Sequence, residues 1–303
     1  MSFLSVRQFG RILRTALREL KNNDPLRLAA ATAFFTTFAL PAIIIIFVQL
    51  FGLIIDPKTF SEHLFEHLAV ILGQKSVDQI KETLSGFRQV ASNWFITIAG
   101  FAFLVFVATT LFKVIRDSLN QLWGIKLHHG SGMRFSLVGR LKSVAVILIA
   151  GLLFLATLLA EALQALLLDY IQELWKGSVS LLYFILNQVI SIVVVSTWFT
   201  MVFRFLGNAK PTWKVAFAGG LFTGILFTIG KLLLGWLLGF SNIHNIYGAS
   251  GSFVLLLLFV FYSSFILYFG GTFTNAWAEY IKQPIAPGKN AYRYDLIERK
   301  LES

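Results

Sequence analysis

Val215–Phe240, VAFAGGLFTGILFTIGKLLLGWLLGF, is a 26-residue run in which Lys231 is the one charged side chain. At about 1.5 Å per residue, a helix of that length passes the ~30 Å of hydrocarbon in a bilayer. Lipid offers the backbone no hydrogen-bond partner, so a run of this kind must satisfy itself as a helix. A β-barrel would show short alternating segments instead. Five further apolar blocks flank it: Leu28–Ile55, Trp94–Ile115, Val144–Leu168, Leu181–Phe203 and Ser252–Ala276. With 56% hydrophobic residues the chain lies outside the soluble globular class. The expected fold is an all-α polytopic membrane protein of six transmembrane helices.

The charges orient that bundle. Of the 26 Lys and Arg residues, 20 flank one side of the blocks and 5 (Lys58, Lys75, Lys81, Arg88, Lys176) the other, with Lys231 inside. Cytoplasmic loops retain Lys and Arg, so both termini are expected in the cytoplasm. Topogenesis thereby accounts for the net charge of +11 without a nucleic-acid partner. The first block starts too deep and runs too long for a signal-peptide core. Cysteine is absent, which removes disulfides and thiolate sites.

Three regions follow: an amphipathic segment 1–23, a six-helix domain 24–276 and a cytoplasmic tail 277–303. In the first, a helix from Phe3 to Lys21 carries Arg7, Arg11, Arg14, Arg18 and Lys21 on one face. Val6, Phe9, Leu13, Ala16, Leu17 and Leu20 line the other. Such a helix either lies among anionic lipid headgroups or packs on the bundle. Asp24-Pro25 reads as the N-cap and first turn of span one. The outer segment Asp56–Asn93 is expected to be helical. It holds an amphipathic helix over Phe60–Leu72 stopped by Gly73, then a second running from a Ser76/Gln79 capping box to about Val90.

Within the spans, Gly220 with Gly224 and Gly235 with Gly239 form small-xxx-small pairs. They serve packing inside the bundle, or a homo-oligomer interface. Pro41 should bend span one.

Numbering depths from each face puts Lys231 roughly 24 Å and Glu161 roughly 26 Å from the cytoplasmic side, with Gln164 a turn beyond. Asn187 and Gln188 lie roughly 10 Å below the outer face, in the same layer. A charge inside hydrocarbon costs at least ~2.5–3.5 kcal/mol, so it meets a partner or a wet cavity. Two readings stand. Glu161 and Lys231 pair around a polar pocket with Asn187, Gln188 and Gln164, or Glu161 ends its span while Lys231 snorkels outward.

Enzyme chemistry finds little to work with. His63, Glu66 and His67 spell H-x-x-E-H, the inverted zinc-protease pattern, but a third ligand is not identifiable. His128 and His129 read as loop residues. No phosphate loop, nucleophile elbow or two-metal carboxylate cluster appears, so no enzyme, metal or cofactor is expected.

Several fragments together resemble the YihY/BrkB family of bacterial inner-membrane proteins. They are Ala29–Pro41 (AAATAFFTTFALP), Asn120-Gln121-Leu122-Trp123-Gly124, Pro211-Thr212-Trp213 with Gly219-Gly220, and Tyr247-Gly248-Ala249-Ser250-Gly251-Ser252. The chain departs from the pattern at Gly270-Gly271-Thr272, where that family commonly has Gly-Ala-Glu. The resemblance implies a six-helix inner-membrane protein with both ends cytoplasmic. The family's former ribonuclease label has no support in these residues. The hint it carries is envelope-lipid or lipopolysaccharide export. The combined expectation is a transporter or handler of an envelope lipid or amphiphile, acting through the Lys231 layer. Behind it stand a scaffold recruiting an envelope protein partner through the Asp56–Asn93 helices, and a small-solute or proton-coupled exporter.

Overall fold

The computed structural model describes residues 5–51, 56–72, 94–128, 179–240, 251–288 and 290–294, with scattered residues between 74 and 85 and between 141 and 157. Seven helices carry the described fold: α1 Val6–Asn22, α2 Pro25–Phe51, α3 Pro57–Leu72, α4 Trp94–Leu122, α5 Val179–Met201, α6 Trp213–Phe240 and α7 Gly251–Tyr280. Among the described residues four segments are long and apolar enough to cross a membrane: Pro25–Ile45, Gln188–Leu206, Trp213–Leu234 and Phe253–Tyr280. A shorter apolar helix covers Leu148–Thr157, inside the third expected span, and residues 158–168 lie outside the described residues.

The packing follows the apolar pattern. On α6 the exposed residues Phe217, Leu221, Ile225, Ile229, Leu232 and Leu233 form one stripe. The opposite face, with Gly219, Gly220, Thr223 and Gly224, turns inward. An outward apolar stripe of this kind is what a lipid environment accepts and water does not. α2 adds exposed Phe34 and Phe38 to the same belt. It runs through Pro41 as one helix to Phe51.

α1 is docked on the bundle. Ile12 and Ala16 bury against Phe273 and Ala276 of α7, and the Phe9 and Phe273 rings lie 6.1 Å apart. Arg7, Arg11, Arg14 and Arg18 are exposed on the opposite face, while Val6 and Leu17 form an uncovered apolar shoulder between the two. The expected apolar face is thus split, because Ile12 rather than Val6 or Leu17 completes the buried stripe. A tight reversal joins α1 to α2: Asn23 Nδ2 donates to the Glu19 carbonyl at 2.9 Å, and Asp24 takes φ 50°. Asp24 stands where the cap was expected, but in the left-handed region, with its carboxylate 3.8 Å from Arg27 Nε.

α3 begins three residues earlier than the sequence reading, because Asp56 is its N-cap. The Asp56 carboxylate accepts from the Lys58 and Thr59 amides at 3.1 and 3.0 Å and from the Thr59 hydroxyl at 3.1 Å, with Pro57 in the first turn. Those bonds hold the Asp56 carboxyl below its ordinary value. Phe60 and Leu64 bury beside Phe47 of α2 and Ile80 of the following helical residues. Gly73, Ser76, Gln79 and Val90 lie outside the described residues.

The all-α reading misses two short ladders. Strand β1 (Ile125–Leu127) pairs antiparallel with β4 (Ala291–Arg293), and β2 (Ala209–Lys210) with β3 (Ala286–Pro287). The segment after α7 is therefore stitched back onto the turns that follow α4 and α5. Two- and three-residue strands leave no periodicity to read, so their pairing is a tertiary outcome.

Candidate functional site

Two sets of close contacts fix how α6 sits against its neighbours. On the α5 side, Thr200 packs over Gly220 and Ser196 over Gly224. On the α7 side, Thr274 packs over Gly219, Thr223 over Gly270 and the Tyr262 hydroxyl over Gly230. A Cβ at any of these glycines would overlap the facing side chain, so glycine alone permits this approach. Gly235 and Gly239 lie in the last turns of α6.

Those contacts set the registers of the three helices. Thr200 opposite Gly220 and Ser196 opposite Gly224 run antiparallel, which brings position 231 level with position 189, one residue from Gln188. Tyr262 over the adjacent Gly230 brings α7 to the same level. Lys231, Gln188 and Tyr262 thus share one level of the α5–α6–α7 group, with Lys231 and Gln188 half-buried. Among the described residues no carboxylate lies within ion-pairing distance of Lys231. Glu161 and Gln164 lie outside the described residues, as does the side chain of Asn187, whose backbone is in α5. Tyr262 escaped the sequence reading, because a tyrosine in an apolar helix looks like any interfacial aromatic.

The opposite end of the bundle holds a denser polar network. Trp123, fully buried after α4, donates Nε1–H to the Gly271 carbonyl at 3.0 Å. Gly207 makes room for its ring, and Gly124 turns the chain at φ 60° so that its carbonyl accepts from the Tyr294 amide at 2.8 Å. Asn120 Oδ1 accepts from the Asn208 amide at 2.9 Å. Arg204, in the π-helical turn Val202–Leu206 that ends α5, donates to the Pro211 carbonyl at 2.5 Å and lies 5.3 Å over the Trp213 ring. Deeper in, the Tyr268 hydroxyl meets those of Thr32 and Ser118. At the edge, Asn275 Nδ2 donates to Glu19 Oε2 at 3.4 Å, and Arg293 donates to Glu279 at 2.7 Å.

The H-x-x-E-H pattern lies on α3, with His63 Nδ1 3.4 Å from Glu66 Oε2 and both side chains exposed. Among the described residues no three His, Cys, Asp or Glu gather as metal ligands. The His128 ring lies tilted against that of Tyr292, 4.9 Å between centroids, and His129 lies outside the described residues.

The family described as Virulence factor BrkB matches residues 16–294 of this chain. The chain belongs to the BrkB family. It is 24% identical over 270 residues to a UPF0761 membrane protein of Saccharophagus degradans, covering 89% of this chain and 60% of that one. It is 26% identical over 258 residues to a UPF0761 membrane protein of Teredinibacter turnerae, covering 84% and 57%. A third, from Psychromonas ingrahamii, is 26% identical over 211 residues, covering 69% and 67%. The chain thus spans about 60% of the length of the first two curated relatives it matches. No solved structure matches it.

The stretches that resembled BrkB proteins fall mainly in the dense network. Asn120–Gly124 supplies its Asn and Trp, Pro211–Trp213 the Arg204 partners, and Gly219-Gly220 the seam on both sides of α6. At the BrkB departure, Gly271 brings α7 within reach of Leu119, where a Cβ would lie 3.0 Å from its Cδ2. Thr272 is fully buried and bonds the Phe269 carbonyl at 2.9 Å. Tyr247–Ser250 lies outside the described residues.

Proposed function

We propose that this BrkB chain is a non-enzymatic protein of the bacterial inner membrane that binds an envelope lipid or related anionic amphiphile at the Lys231 layer and moves it. The membrane is crossed six times with both termini cytoplasmic, a reading supported by the 20-to-5 sorting of Lys and Arg. The layer then belongs to the outer half of the bilayer.

The observation that carries the proposal is the shared level of Lys231, Gln188 and Tyr262 on three packed helices. A half-buried ammonium among apolar side chains needs a counter-charge. The headgroup phosphate of a lipid supplies one, while Gln188 and Tyr262 offer hydrogen bonds to its remaining oxygens. Glu161 is the residue nominated to balance Lys231 in the empty site, with Gln164 and Asn187 beside it. Arg7, Arg11, Arg14 and Arg18, exposed together with Val6 and Leu17, suit contact with anionic headgroups on the other face. The chain carries no ATP-binding motif, so directed movement draws on an ion gradient or a partner protein.

The test is native mass spectrometry of the protein extracted in mild detergent, beside Lys231→Met. The wild type should retain anionic phospholipid and the variant should lose most of it. A wild type that carries none, or a variant that retains as much, overturns the proposal and leaves the scaffold reading in place.

A further inference from the structure

Glu19 is a half-buried carboxyl on the docking face of α1, and its partner is incompletely used. Asn275 of α7 donates Nδ2–H to Glu19 Oε2 at 3.4 Å, yet Asn275 Oδ1 is buried with no hydrogen-bond partner. An ionised carboxylate has no proton to offer that oxygen. A protonated one does: its O–H donates to Asn275 Oδ1 while its other oxygen accepts from Nδ2–H. The result is a reciprocal two-bond pair that satisfies both groups. We propose that Glu19 and Asn275 form a proton-binding site that locks α1 onto α7 when occupied and loosens it when empty.

The surroundings favour the proton. Glu279 lies one helical turn beyond Asn275 on α7, and Arg293 of β4 is already engaged with Glu279 at 2.7 Å. At the start of α2 the charges are the exposed Asp24, in the turn before it, and Arg27, and on α1 itself Arg18 and Lys21 are exposed. No cation is therefore dedicated to Glu19 among the described residues. Burial pushes the Glu19 carboxyl up to about 7, with Glu279 adding to the rise and Asn275 and Arg293 opposing it. Its ordinary value is 4.5, so docking takes up a proton between about pH 4.5 and pH 7. The group's folded value is raised, so its contribution is complete below the ordinary value and is lost as pH rises through the folded one. The docked helix is thus held hardest at low pH. Because α1 carries the exposed arginines, the same proton sets how firmly that basic face is fixed to the bundle.

Hydrogen–deuterium exchange of the full chain in lipid nanodiscs, corrected for intrinsic exchange, reads the opening of α1. Its opening equilibrium should rise by up to about tenfold per pH unit between about pH 4.5 and 7, then flatten. Glu19→Gln offers an amide that forms the same reciprocal pair, so its α1 should stay protected at every pH. Infrared difference spectra of the wild type should show a protonated carboxyl lost near pH 7 and missing from Glu19→Gln. Wild-type protection that ignores pH, or a slope that survives in Glu19→Gln, overturns the proposal. If the variant does not fold, the wild-type infrared titration decides alone: no protonated carboxyl at pH 6 ends the idea. Lipid retention at Lys231 is read at the other end of the bundle and stands or falls separately.

Discussion

Thr223 of α6 packs over Gly270 of α7, and the same pair of helices repeats the contact in reverse with Thr274 over Gly219. Each threonine hydroxyl donates to the carbonyl of the glycine four residues before it on its own helix, Thr223 to Gly219 and Thr274 to Gly270, both at 2.6 Å. Both hydroxyls are thereby satisfied without a partner across the interface, and in each contact the threonine Oγ1 is the atom nearest the facing glycine. Lipid tails are as apolar as leucine, so helices in a bilayer associate through close packing of this sort.

The interlock predicts a specific coupling. Gly219→Ala should destabilise the detergent-solubilised protein by about 1–3 kcal/mol through overpacking against Thr274. Thr274→Ala removes the hydroxyl, the atom nearest the added Cβ, so the double variant should be more stable than the two single effects predict. The residual is a coupling energy of about 0.5–3 kcal/mol, readable from reversible unfolding as a double-mutant cycle. Strict additivity would mean that Gly219 and Thr274 do not meet.

The Tyr262 hydroxyl predicts a different split between stability and binding. Tyr262→Phe keeps the ring and removes one polar atom at the level of Lys231. Thermal stability should change little, while retained anionic lipid measured by native mass spectrometry should fall. A fall in both together would make Tyr262 a packing residue.

How far these sites were legible in the sequence depends on what sets each position. Counting from span ends marked by charges gives Lys231 and Gln188 similar depths, and axial depth is a property that residue counting measures well. Tyr262 was invisible because its height relative to Lys231 is fixed by Gly230, Gly219 and Gly270 touching particular residues of another helix. Glu19 looked like one acidic residue on an arginine-rich helix. The readable signal is its place on the stripe Ile12, Ala16 and Glu19, which faces α7 rather than water. Asp24-Pro25 and Asp56-Pro57 carry the same dipeptide signal, yet only the second is bonded as a cap by its carboxylate.

Trp123 predicts the largest single loss. Its ring is fully buried and its indole N–H bonds the Gly271 carbonyl at 3.0 Å, where α4 closes on α7 at that glycine. Trp123→Phe leaves that carbonyl short of a donor and a gap beside Gly207, which should cost about 2–4 kcal/mol. Scanning calorimetry or thermal aggregation should report the drop. A shift no larger than that of Trp213→Phe, at an exposed ring, would contradict it.

Asp56 predicts a local and pH-dependent effect. Its carboxylate accepts three hydrogen bonds at the start of α3, two of them from amides that the helix itself leaves unpaired. The Thr59 amide is the largest cause holding the carboxyl below its ordinary 3.8. A group with a lowered folded value stabilises its element above the ordinary value and loses that contribution as pH falls through the folded one. The first turn of α3 should therefore stay protected from exchange at pH 5 and above, then fray below about pH 4. Asp56→Ala should fray it at every pH, because alanine has no acceptor for those amides. Protection of residues 60–64 that is the same in both proteins at pH 7 would mean that α3 is held by Phe60 and Leu64 packing alone.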